Sequence, residues 1–331
     1  MAGQDAWISV LFGGALLSLT TWMLITLAAR FPRENFFQYH GKVWGKPLSW
    51  PITLGYFLYW AAFLVLLLQE FSWINQLFFL QETPVFIPKL LIAIAAALLV
   101  SYGFTTLARF FQLILPFLLI PLLGVFLLTL FKLHWSHFFP VLENGILPVL
   151  KGTLYLMGAI QGLMAIILFF FPFLKDPKKA LKPALIGINI VFLLSMVQTL
   201  GSIGILGVEN IMESAYPGID TITVIELPGF PVERYELWLT MSWLLGIFTT
   251  WALFLYLLSY GVMQVFDITK KRLVIYSLTA ILLITTYLIP NGAWVTQIRL
   301  GITLSTLGFV YIIPALTLFL AILRKKRGAG V

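Results

Sequence analysis

From Lys151 to Pro172 the chain reads KGTLYLMGAIQGLMAIILFFFP and carries no charged side chain after its first residue. About 20 predominantly apolar residues are enough to cross a bilayer as a helix. Yet Gly158, Gln161 and Gly162 sit at the centre of this run. A glycine in a helix interior costs about 1 kcal/mol relative to alanine. Backbone that leaves helical geometry at membrane depth is tolerated only where protein covers it or it lines a cavity. The pattern therefore predicts an interrupted helix, with its peptide groups turned toward a small solute near the bilayer midplane. The alternative is a continuous helix whose small residues admit a closely packed neighbour.

The remaining composition points to the same solvent. Of 331 residues, 60% are hydrophobic and 10% charged, and the mean hydropathy is +0.99. Soluble domains carry about 25% charged residues. An all-α, polytopic transmembrane bundle is the class this composition permits, with residues 1–331 expected to form a single integral membrane domain. There is no cysteine, so disulfides and thiolate chemistry are excluded. The three histidines, His40, His134 and His137, show no metal-binding spacing. No cofactor or catalytic residue is predicted, and no cluster of acid, base and nucleophile suggests an enzyme.

Apolar runs predict about nine spans, near residues 7–29, 48–71, 86–107, 111–131, 151–172, 183–206, 235–266, 273–288 and 301–323. Arg109 is expected to close the third and Glu70 to lie in the loop after the second. Pro116 and Pro121 fall inside the fourth, where each removes a helical hydrogen bond. The basic residues near positions 30–46, 109, 175–182, 267–272 and 324–327 account for sixteen of the 21 Lys and Arg, with three of the 13 acids. That side carries +13; the remaining five bases and ten acids carry −5, which together give the net +8. By the positive-inside rule the basic side, and with it the C-terminus, is cytoplasmic. The runs flank spans, so the high pI needs no nucleic-acid partner, only the lipid bilayer. An odd number of spans then puts Met1 on the outer face. One further span ahead of it, giving ten, is the simplest expectation.

Several stretches carry a family resemblance along the chain, in order. They are Gly3-Gln-Asp-Ala-Trp7-Ile-Ser, Ala29-Arg30-Phe31-Pro32, Glu82-Thr-Pro84, Gly103 to Arg109, Leu142-Glu-Asn-Gly145-Ile-Leu-Pro148, Phe171-Pro172-Phe-Leu-Lys175, Pro217 and Phe230-Pro-Val-Glu233-Arg234. With these the chain resembles the B subunit of spore germinant receptors, a family within the amino acid–polyamine–organocation transporter superfamily. The resemblance implies a leucine-transporter-like inverted-repeat fold with about nine of its ten helices present, the helix before Gly3 being absent. It implies a nutrient germinant, often an amino acid, as ligand, and receptor A and C subunits as partners in the spore inner membrane. In that mapping the interrupted span is the sixth helix, and those holding Trp60 and Trp243 are the third and eighth. Many relatives place a carboxylate where this chain has the neutral Gln161.

A zwitterionic ligand can be held by the free N–H and C=O groups of broken helices without any charged side chain. The candidate binding residues are Met157, Gly158, Ala159, Gln161 and Gly162, with Trp60, Trp243 and Thr250 shaping the pocket. Trp251 is a further candidate for the pocket wall, and for Thr249 and Thr250 a hydrogen bond across helices is the alternative role. The central parts of the spans are nearly free of Asp, Glu, Lys and Arg, which favours sensing over ion-coupled carriage. An amino-acid permease is the alternative.

Overall fold

The computed structural model describes residues 2–160, 162–214, 216–224, 235–288 and 293–328. Among them there are helices and turns but no strand. Among the described residues seven stretches are long and apolar enough to cross a membrane: Gly3–Ala29, Lys46–Leu77, Phe104–Lys132, Pro177–Glu213, Leu237–Val265, Lys271–Leu288 and Gln297–Leu323. Two shorter apolar helices, Phe86–Ser101 and Ile146–Ala159, accompany them. The chain divides into two compact units.

The first unit takes residues 1–21, 115–160 and 181–243. It holds the start of α1 (Ala6–Ala29), the second half of α5 (Phe104–Thr129), α6 (Ile146–Ala159), α8 (Leu181–Glu213), α9 (Pro217–Thr223) and the start of α10 (Tyr235–Val265). Here α1 meets α6 through small and hydroxylated residues. Ser9 Oγ donates to Val149 O at 2.9 Å, and Thr153 Oγ1 lies 3.2 Å from Ser9 O. A Cβ added at Gly152 would fall 2.6 Å from Ser9 Oγ, so only glycine permits this approach. Before α1, the buried Asp5 carboxylate accepts the Leu142 N–H at 2.9 Å, which ties the first residues to the loop ahead of α6. Pro121 cannot donate to the carbonyl four residues back. That carbonyl, Phe117 O, instead faces Ser242 Oγ of α10 at 3.4 Å. Gly207, at φ 74°, ends the regular part of α8 just past the predicted span end at 206.

The second unit takes residues 22–114, 161–180 and 244–331. Its helices include α2 (Phe36–Trp44), α3 (Lys46–Phe78), α4 (Phe86–Ser101), α7 (Gly162–Phe170), α11 (Lys271–Leu288), α12 (Ala293–Thr306) and α13 (Ile313–Leu323). α3 packs against α2, α4, α11 and α12. An aromatic cluster fills the centre. Phe169 lies 4.7 Å from Phe37 and 4.9 Å from Trp60 between ring centroids, and Phe36, Tyr56 and Phe254 close around them. A π-helical turn at Leu307–Ile312 separates α12 from α13, and Phe309 O within it accepts the Tyr56 hydroxyl.

Two of the boundaries that differ from the sequence expectation move a charged residue. α4 stops at Ser101 rather than near Leu107, because Gly103 adopts φ 97° and turns the chain; Arg109 therefore lies inside α5. α3 continues to Phe78, since the aromatic run after Gln69 keeps helical geometry, so Glu70 is a helix residue and not a loop residue.

The short helix α2 starts from a capping box. Asn35 Oδ1 accepts the Gln38 N–H, and Gln38 Oε1 accepts the Asn35 N–H. Inside it His40 is buried, with Nδ1 2.8 Å from Phe36 O and Nε2 3.0 Å from Thr53 Oγ1. Burial lowers its pKa from the ordinary 6.5, outweighing the backbone hydrogen bonds that raise it. A depressed folded-state pKa means that the unfolded chain binds the proton first as pH falls. Stability is then intact above the unfolded value and falls as pH drops through the folded one. Acidification from pH 7.5 to about 5 is expected to lower the thermal midpoint of the detergent-solubilised protein, and His40→Phe is expected to flatten that slope. Fluorescence-monitored melting at both pH values checks it.

Candidate functional site

α6 ends at Ala159. Ile160 leaves helical geometry at φ −85°, ψ 63°, its N–H still donating to Leu156 O at 3.1 Å, and α7 starts at Gly162. The interruption predicted from Gly158 and Gly162 is therefore present. Gln161 lies outside the described residues. A helix that stops leaves its last carbonyls without intrahelical donors, and one that starts leaves its first N–H groups without acceptors. The carbonyl end carries partial negative charge and the N–H end partial positive charge.

Each half is anchored by its own unit. Met157 and Gly158 are buried, and Leu156 sits where a Cβ on Gly13 would be 2.5 Å away. α7 is held through Phe169 in the aromatic cluster, while Phe170 stacks on Phe104 at 4.8 Å. The change from one unit to the other falls at Ile160 and Gln161.

The other expected residues are placed as follows. Trp60, in the second unit, is fully enclosed by the aromatic cluster, and its Nε1 has no hydrogen-bond partner among the described residues. Thr250 is half-buried on α10. Trp243, in the first unit, is 37% exposed and meets Tyr216 edge-on at 5.5 Å. Trp251 Nε1 donates to Leu64 O at 3.0 Å and Thr249 Oγ1 to Gly246 O at 3.0 Å, so both are engaged within the second unit.

Polar side chains that the sequence reading missed lie within the second unit. Lys89 on α4 is buried, with Nζ 2.5 Å from Gln69 Oε1 and 6.0 Å from the Tyr287 ring centroid. Gln69 Nε2 donates to Thr286 O at 2.8 Å, and Arg299 pairs with Glu70 at 2.6 Å. The consecutive Gln69 and Glu70 inside an apolar run were the available signal. No group of three or more potential metal ligands occurs among the described residues.

These features define an integral, multi-pass α-helical membrane protein built around an interrupted helix. A family model described as "Spore germination protein" matches residues 1–291. The chain is 31% identical over 329 residues to spore germination protein YndE of Bacillus subtilis (strain 168), covering 98% of this chain and 88% of that one. It is 26% identical to spore germination protein KB of the same strain over 99% of this chain and 89% of the other. For spore germination protein B2 the identity is 24%, over 98% and 89%. The chain belongs to the spore germination protein family.

Proposed function

We propose that the chain is the membrane subunit of a spore germinant receptor, a single integral domain that binds a nutrient and signals through partner subunits. The observation that carries the reading is a helix interrupted at Ile160 in a member of this family. The nutrient is an amino acid, whose carboxylate suits the free N–H groups that a helix start such as that of α7 offers. In the first unit the proposed contacts are Met157, Gly158, Ala159 and Trp243. In the second they are Gly162, Trp60 and Thr250, and Gln161 joins the set. Binding favours one of two packings of the helices, and that preference is the signal. Receptor A and C subunits are the proposed readers, in the spore inner membrane, with the C-terminus cytoplasmic and Met1 on the outer face.

The competing reading is an amino-acid permease. Deleting the gene is expected to abolish germination on the cognate amino acid, while purified protein in liposomes accumulates no labelled amino acid. Uptake by the protein alone, with germination intact in the deletion strain, would favour the permease.

A further inference from the structure

The residues after α13 fold back onto the second unit. Lys326 N–H donates to Ala321 O at 2.9 Å and Lys325 N–H to Ile322 O at 3.1 Å, the paired bonds of a Schellman turn, with Lys325 in the left-handed region at φ 50°. The turn sends the chain to the corner between α1 and α2, where Gly328 N–H donates to Arg30 O at 2.8 Å. A Cβ on Gly328 would lie 3.1 Å from Phe31 Cα, so the tail lies close against that corner. Arg324 Nη1 donates to Val43 O at 2.7 Å, in the last turn of α2. Pro47, four residues beyond Val43, has no N–H for that carbonyl, and a cation there suits the negative end of the helix. Trp44 Nε1 donates to Thr317 Oγ1 of α13 at 2.8 Å. α13 and residues 324–328 thus grip the end of α2 and cover the corner before it.

The grip brings like charges together. Residues 30–46 and 324–328 hold eight Lys and Arg against the single Glu34, a net +7. Glu34 is already paired with Lys42 at 2.7 Å. Arg33, Lys42, Lys46 and the four bases of the tail are exposed. Charges of one sign held this near repel, so closure calls for counter-anions from outside the chain. The apolar neighbours say of which kind. Leu48 and Trp50 follow Lys46, Ile322 and Leu323 precede Arg324, and each is more than half exposed. Basic side chains bordering exposed aliphatic residues and a tryptophan match the boundary between lipid headgroups and acyl chains. An acidic protein segment would answer the charge and leave the apolar residues bare.

We infer that residues 324–328 are a strap that stays closed on α2 against anionic lipid headgroups and opens where the headgroups are neutral. The docking surface is the basic patch of Arg33, Lys42, Lys46 and the tail, and its occupant is the anionic surface of the bilayer. The consequence reaches the interrupted helix. α2 carries Phe36 and Phe37, whose rings lie 5.8 and 4.7 Å from that of Phe169 on α7. Headgroup charge thereby sets how firmly α7 is seated.

Hydrogen–deuterium exchange of the purified full-length chain tests this, in nanodiscs of phosphatidylcholine alone and of phosphatidylcholine with an equal part of phosphatidylglycerol. Phosphatidylglycerol is expected to slow exchange over residues 36–46 and 324–328 by about tenfold or more, and to leave α4 at 86–101 unchanged. Neutralising the tail with Lys325→Gln, Lys326→Gln and Arg327→Gln together is expected to remove the difference at both segments. Arg324→Ala, which breaks the bond to Val43 O, is expected to remove it at 36–46. In neutral discs, where the strap is open, the triple variant is expected to melt with the wild type. Five results overturn the inference: equal exchange in the two lipids, equal slowing at 86–101, slowing at 36–46 that survives either variant, a lower midpoint of the triple variant in neutral discs, or comparable slowing there by soluble polyglutamate. No arm contains nutrient, so none of these results bears on recognition near Ile160.

Discussion

Replacing Gly158 by leucine is expected to raise the nutrient concentration that half-maximally triggers germination by about tenfold or more, a loss of at least about 1.4 kcal/mol of coupling. Gly158 is buried one residue before the end of α6. Leucine there favours helix by about 1 kcal/mol over glycine, which works to extend α6 through Ile160. Its side chain must also enter a buried position, where overpacking costs about 1–3 kcal/mol. Both effects act on the helix end proposed above to present peptide groups to the ligand. The amount of the variant in spore membranes, read by immunoblot, is expected to equal wild type. An unchanged dose–response curve at equal abundance would remove Gly158 from the recognition site.

The second large effect belongs to Phe169. Its ring packs against Phe36, Phe37, Tyr56 and Trp60, with centroid distances of 5.8, 4.7, 6.1 and 4.9 Å. These partners sit on α2 and α3, so the single ring fastens α7 to two other helices of the second unit. Phe169→Ala removes all four contacts and leaves a cavity the size of a ring. Truncations of this kind cost about 3–5 kcal/mol. Thermal melting in detergent is expected to show a large drop. Phe131→Ala, at a residue 84% exposed, is expected to change stability by no more than about 0.5 kcal/mol. Comparable losses in the two variants would mean that the aromatic cluster does not anchor α7.

Much of this architecture was legible because membranes write their constraints locally. Length and hydropathy mark a span without reference to any partner, and glycines at 158 and 162 mark a break within a single run of residues. Gly103 was equally visible as a breaker, but Arg109 drew the boundary six residues too late; the turn follows the positive φ and not the charge. Glu70 looked like a loop residue because a carboxylate is expensive inside a span, and only its pairing with Arg299 from α12 explains its place in α3. The aromatic cluster was not legible. Phe37, Trp60, Phe169 and Phe254 are far apart in the chain, and their meeting depends on helix packing that no periodicity encodes. For the same reason the sequence singled out Trp60 without showing the rings of Phe37, Tyr56, Phe169 and Phe254 that surround it.

Hydrogen–deuterium exchange across residues 150–170, followed with and without the triggering nutrient, tests the interruption most directly. The first four amides of a helix lack intrahelical acceptors, so Gly162–Ala165 should exchange quickly in the free protein, while the amides of Gly152–Leu156 exchange slowly. Bound nutrient should slow the former group and leave the latter unchanged. Uniformly slow exchange through both groups, indifferent to nutrient, would mean an unbroken helix and would contradict recognition at this point in the chain.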